Sequence, residues 1–116
     1  MTNYYQSDEF KEFLEPQTDR TEWIQKKLLD SGIDSCVLKL GEQKHIYVKF
    51  PLSSYNPLFK IKTILVHYDR IRIGANDNSA AVYQVIKWAQ KLNTQLDFHN
   101  IRIIFTEFYC IIDKVI

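Results

Sequence analysis

The stretch Lys62–Leu92, KTILVHYDRIRIGANDNSAAVYQVIKWAQKL, decides how the rest of the chain is arranged. It opens on the uncharged apolar run Ile64, Leu65, Val66, which stops at His67 and Asp69. A short loop leads through Asp77 into Ser79–Leu92, where Ala81, Val82, Val85, Ile86, Ala89 and Leu92 recur at helical spacing as a broad apolar stripe. The pattern predicts a strand, a polar loop and a helix. One imidazole and two carboxylates therefore flank a single strand-to-helix turn, the place where α/β proteins bind ligands.

Downstream of a polar linker, Thr94–Asn100, the run Ile101, Ile103, Ile104, Phe105 predicts a second strand. A strand, helix and strand of these lengths fit a βαβ crossover, whose two strands run parallel and end on the same sheet edge. His67, Asp77 and Glu107 are then expected near that edge. The unbroken Ile64, Leu65, Val66 predicts burial on both faces, as in the middle of a parallel sheet.

Upstream, Cys36, Leu38 and Leu40 alternate with Ser35, Val37 and Lys39. After a loop at Gly41–Lys44, Ile46, Val48 and Phe50 alternate with His45, Tyr47 and Lys49. This period of two predicts an antiparallel hairpin with one buried face, His45 lying on the polar side as a solvated or locally hydrogen-bonded histidine. Two helices are expected before it. The first starts at Ser7, shares Phe10, Phe13 and Leu14 on one face and ends at Pro16. In the second, Asp19 and Glu22 have capping-box spacing, Trp23, Ile24 and Leu28 form the apolar stripe, and Gly32 suits the left-handed position past the end. Pro51, Ser53, Ser54 and Pro57 mark the loop that crosses to the next strand.

The expected fold class is α/β, a mixed β-sheet with an N-terminal hairpin and a parallel βαβ unit, its helices packed on the sheet. Residues 1–116 form a single domain, with helices and hairpin in 1–60 and the βαβ unit in 61–107. At 46% hydrophobic and 25% charged residues the composition supports a packed core, and a net charge of +1 supplies no field to hold a polyanion. No nucleic-acid partner is expected; a patch of Lys60, Lys62, Arg70 and Arg72 is more simply a solvated one. No segment approaches a membrane span, and Met1–Phe10 has no apolar run, so the expectation is a cytoplasmic protein without a membrane partner. Cys36 and Cys110 lack metal-type spacing and are expected as free thiols. Tyr83, Trp88 and Phe98 are expected in packing.

The chemistry rests on His67, Asp69 and Asp77. Imidazole nitrogen and carboxylate oxygen are zinc-ligand types, and a helix that packs back on its own strand brings the two ends of their loop together. Asp69, two residues past His67, is placed to accept an imidazole N–H and fix the tautomer. Asp77 and Asn78 also suit a helix N-terminus for capping reasons alone.

The words HYD (67–69) and GANDNSA (74–80), preceded by ILV and followed after the helix by IRIIFTE (101–107), resemble the zinc aminopeptidase family, the di-zinc exopeptidases related to glutaminyl cyclases. The resemblance covers about Lys62 to Thr106 and implies a partial zinc-exopeptidase-like fold. It implies His67 as a zinc ligand, Asp77 as the carboxylate bridging two zinc ions, and Asp69 as the catalytic-site residue that orients His67. The family's catalytic and zinc-binding Glu-Glu pair follows the strand matching Ile101–Phe105, so Glu107 is the candidate general base, slightly ahead of that pair, whose own places hold Tyr109 and Cys110. Arg70 and Arg72 stand where the family often has Ser, Pro and Gly, and the further Asp and His ligands lie beyond Ile116. The implied function is a zinc-dependent, aminopeptidase-like metallopeptidase domain acting on peptides, truncated and incomplete or inactive as this chain. The alternative is a non-catalytic α/β interaction module that keeps the scaffold without metal. The apolar tail Phe108–Ile116 is expected as a core strand or an altered end, and either leaves an unpaired sheet edge that predicts self-association or poor solubility.

Overall fold

The computed structural model describes residues 8–15, 19–41, 43–68, 78–95 and 97–107. The elements are α1 (Asp8–Leu14), α2 (Arg20–Asp30), β1 (Asp34–Leu40), β2 (Gln43–Lys49), β3 (Lys62–His67), α3 (Asn78–Asn93) and β4 (Ile101–Thr106), with a short 3-10 turn at Leu52–Ser54. The strands form one sheet in the order β1-β2-β4-β3. β1 and β2 are an antiparallel hairpin, β2 and β4 are antiparallel, and β3 and β4 are parallel. The expected mixed sheet, with an N-terminal hairpin and a βαβ unit, is the fold observed.

Local chemistry accounts for the element ends. The Asp19 carboxylate accepts from the Glu22 backbone N–H and caps α2, satisfying one of the amides a helix start leaves unpaired. Gly32, at φ 76°, follows the Ser31 C-cap, and the Ile33 N–H closes on the Leu28 carbonyl. α2 packs on β1 and β2, α3 packs on β3 and α2, and α1 packs on α3.

All of this helical packing lies on one face of the sheet. The row Val37, Ile46, Phe105, Val66, matched strand to strand, points into it, and Ile46 and Phe105 are fully buried there with Ile24, Leu28, Val82 and Ile86. The other face carries two rows, Leu38, His45, Thr106, His67 and Cys36, Tyr47, Ile104, Leu65.

Two expectations are corrected by this register. Leu38 pairs with His45 and Cys36 with Tyr47, so the apolar set of β1 does not share a face with Ile46 and Val48. Leu38 and Leu40 are exposed as a result. Likewise β3 is not buried on both faces: Val66 is buried, but Leu65 is 51% exposed, because the described helices cover one side only. Phe59 and Ile61, just ahead of the strand, are exposed.

The segment between β2 and β3 is built around Asn100. Its side-chain Nδ2 donates to the carbonyls of Asn56 and Phe59, its Oδ1 accepts from the Asn56 N–H, and its own backbone sits at φ 52°. The backbone N–H groups of His99 and Asn100 both donate to the Ser54 carbonyl. These bonds hold the amino-terminal ends of β3 and β4 together, at the sheet edge opposite His67.

Candidate metal and substrate edge

The carboxyl ends of the parallel pair meet the start of β2 at one edge of the sheet. There His67 is the register partner of Thr106, and Thr106 is the partner of His45. The three side chains form a row on the face that the helices leave open. His67 Nδ1 lies 2.8 Å from Thr106 Oγ1. With the ring proton on Nδ1 the threonine hydroxyl accepts it, and Nε2 is then the unprotonated nitrogen, the form in which an imidazole ligates a metal. Fixing the ring in this way is the task the sequence assigned to Asp69; Thr106 is in place to perform it.

Tyr68 locks the exit of β3. It is 2% exposed, and its backbone N–H donates to the Thr106 carbonyl at 2.9 Å. Arg20 Nη1 donates to the Tyr68 carbonyl at 3.0 Å, while the same guanidinium stacks over the Phe13 ring at 4.2 Å. The Tyr68 hydroxyl donates to the Lys44 carbonyl at 2.9 Å and, its one proton spent there, accepts from the Thr21 hydroxyl at 3.0 Å. Trp23 extends the same clamp by donating from Nε1 to Glu12 at 2.8 Å and packing on Phe13. The two N-terminal helices are thereby tied to the residue that follows His67.

Glu107 turns towards the hairpin. Its Oε1 accepts the Lys44 backbone N–H at 2.8 Å. Both backbone groups of Lys44 are therefore held by the edge, the N–H by Glu107 and the carbonyl by Tyr68. Strand alternation sends Thr106 and Glu107 to opposite sides, so Glu107 serves the β1–β2 end whereas Thr106 serves His67.

His45 departs from expectation. It is 8% exposed, and its Nε2 is buried without a hydrogen-bond partner, so it is neither solvated nor locally satisfied at that atom. Among the described residues no group of three or more His, Cys, Asp or Glu is gathered as a metal cluster. Asp69 and Asp77 lie outside the described residues, as do Arg70, Arg72 and Cys110. Cys36 is a free, half-buried thiol. Tyr83 packs in the core as expected, while Trp88 and Phe98 are 47% and 42% exposed. Among the described residues no helix is long and apolar enough to cross a membrane.

Tyr68 and Thr106 were not singled out by the sequence. The signal for Thr106 was its position at the end of a strand parallel to the one that ends on His67. For Tyr68 it was the alternation that follows Val66 and His67, which returns the next side chain to the helix-covered face.

No family model matches the sequence, and no curated protein matches it. Among solved structures, the chain is similar to the glutaminyl cyclase of Porphyromonas gingivalis, with a TM-score of 0.55 and 20% sequence identity. The match covers 85% of this chain and 42% of that one, so the chain spans less than half the length of its structural neighbour. At that identity the likeness is one of fold.

Proposed function

We propose that the chain forms the first half of a zinc-dependent enzyme domain of the exopeptidase and glutaminyl cyclase type, in which His67 ligates zinc. The observation that carries this reading is the His67 ring, placed at the carboxyl edge of the parallel pair with Nδ1 against the Thr106 hydroxyl. Metal-bound histidines depend on such a partner to hold their tautomer and orientation. The fold likeness to a glutaminyl cyclase and the order of the HYD and GANDNSA words support it. In this reading Asp77 would be a further zinc ligand and Asp69 would help to orient His67. Bound zinc would polarise a carbonyl and lower the pKa of a coordinated water. The described residues fit the group as one ligand and its support, and peptide hydrolysis requires donors beyond them.

A second reading, a scaffold without metal, is favoured by Glu107. Its carboxylate is committed to the Lys44 amide, which suits a structural residue better than a general base.

Calorimetric titration of the metal-free chain with zinc separates the two. The first reading expects binding that falls at least about tenfold in His67→Ala and in Asp77→Ala, with both variants folded by circular dichroism. Absence of zinc uptake by the folded wild-type chain establishes the scaffold reading instead.

A further inference from the structure

The first turn of α2 grips the residue that follows His67 at both of its ends. Asp19 fixes where that turn begins, since its carboxylate accepts the Glu22 N–H and its carbonyl accepts the Trp23 N–H at 3.0 Å. Arg20 and Thr21 are therefore the first two helical residues, and successive side chains of a helix point about 100° apart. They diverge onto one target: Arg20 Nη1 reaches the carbonyl of Tyr68 at 3.0 Å, and Thr21 Oγ1 reaches its hydroxyl at 3.0 Å.

Tyr68 supplies the N–H and the carbonyl with which the backbone leaves His67. The N–H is held by β4 through the Thr106 carbonyl, and the carbonyl is held by α2 through Arg20. The strand end on which the His67 ring is mounted is thus fixed by one bond from the sheet and one from the helix. Arg20 is buried, which is rare for an arginine, and the fully buried Phe13 of α1 lies against its guanidinium at 4.2 Å. The same bonds return to the site from the other side. The Tyr68 hydroxyl donates to the Lys44 carbonyl, and the Lys44 N–H donates to Glu107, the residue after Thr106. The residues that follow His67 and Thr106 therefore both belong to one chain of hydrogen bonds that begins in α2.

We propose that Arg20 and Thr21 are positioning residues for zinc at His67, acting through Tyr68, so that docking of the N-terminal helices and metal binding are coupled. The inference rests on the reading of His67 as a zinc ligand. Thr106 orients the ring, and the α2 contacts hold the strand end that carries it. α1 enters the same path through Phe13 beneath Arg20 and through Glu12, which accepts from Trp23. The coupling is reciprocal: whatever the docked helices add to zinc affinity, bound zinc adds to their docking.

Zinc titration of the full chain against a chromophoric chelator tests this, with circular dichroism to confirm folding and the visible absorption of the cobalt(II)-loaded chain to report ligand geometry. Arg20→Met keeps an apolar stem beside Phe13 and removes the donor. It is expected to lower zinc affinity about tenfold, the low end for groups that support a metal-bound histidine, and to alter the cobalt spectrum. Arg20→Lys, which can still donate to the Tyr68 carbonyl, is expected to restore part of both. Thr21→Val is expected to give a smaller loss in the same direction. Ile24→Val, a core change on the same helix, is the control for a purely structural effect and is expected to leave affinity and spectrum unchanged. If Arg20→Met fails to fold, Thr21→Val is read alone. Zinc binding that is lost in His67→Ala but unchanged in the folded α2 variants overturns this inference and leaves the zinc reading standing. An equal loss in Ile24→Val also overturns it. A folded wild type that takes up no zinc overturns both.

Discussion

His67 and Thr106 are register partners across the parallel strands β3 and β4, and their side chains meet at 2.8 Å between Nδ1 and Oγ1. The contact binds the imidazole at the end of one strand to the end of the next, so the ring is oriented by the sheet itself. Thr106→Val keeps the shape and removes the hydroxyl. It is expected to lower zinc affinity by about 10–100-fold while leaving the fold intact, with Thr106→Ser restoring most of it. A competition titration against a chromophoric zinc chelator measures this.

Tyr68 carries more of the architecture than its neighbour. Its hydroxyl joins the Lys44 carbonyl to the Thr21 hydroxyl and so ties the hairpin to α2. Tyr68→Phe removes that bridge and leaves two inward-facing polar groups without it. A loss of about 1–3 kcal/mol in urea unfolding is expected. An unchanged denaturation midpoint would mean that the hydroxyl bonds are not formed in solution.

Asn100 holds the opposite edge of the sheet, combining a left-handed backbone with bonds to both backbone groups of Asn56 and to the Phe59 carbonyl. Asn100→Ala loses the amide and strains the backbone, and is expected to cost of the order of 2–4 kcal/mol. Asn100→Gly relieves the strain alone and should recover only part of that loss. Equal unfolding curves for the two variants would show that the left-handed backbone contributes nothing.

His99 makes stability depend on pH. Burial beside Phe50 and Tyr55 lowers its pKa below the ordinary 6.5, and its Nδ1 accepts the Ile101 N–H, a bond that protonation of Nδ1 abolishes. The folded state therefore binds this proton less readily than the unfolded state. Its contribution is complete above pH 6.5 and declines as the pH falls from there towards the lowered folded value. His99→Asn, whose Oδ1 can accept from Ile101, is expected to flatten the decline in urea midpoint between pH 7.5 and 5.5. A slope equal to that of the wild type would assign the dependence to other groups.

Much of the fold was legible because it rests on period and punctuation. Asp19 and Gly32 mark the ends of α2, the stripe from Val82 to Ala89 marks α3, and alternation marks the hairpin strands. What period leaves open is which rows share a face. A turn of two or four residues after Leu40 pairs Leu38 with an odd-numbered residue, His45 or Tyr47, and so sets it across the sheet from Ile46. The loop length carried that information, and the alternating pattern of each strand by itself did not. The one-sided burial of β3 is hidden in the sequence for a related reason. An uncharged run such as Ile64, Leu65, Val66 fits an edge strand beneath one helix as well as a central one. At the site, the type of His67 and its place at the strand end were visible in the sequence. Thr106 became visible only through the β3–β4 register, and the burial of His45 only through the packing around it.

The central claim is that His67 ligates zinc, and zinc K-edge X-ray absorption on the zinc-loaded chain tests it most directly. The account predicts an imidazole nitrogen at about 2.0–2.1 Å in the wild type and its disappearance in folded His67→Ala. Identical spectra for the two proteins would contradict it.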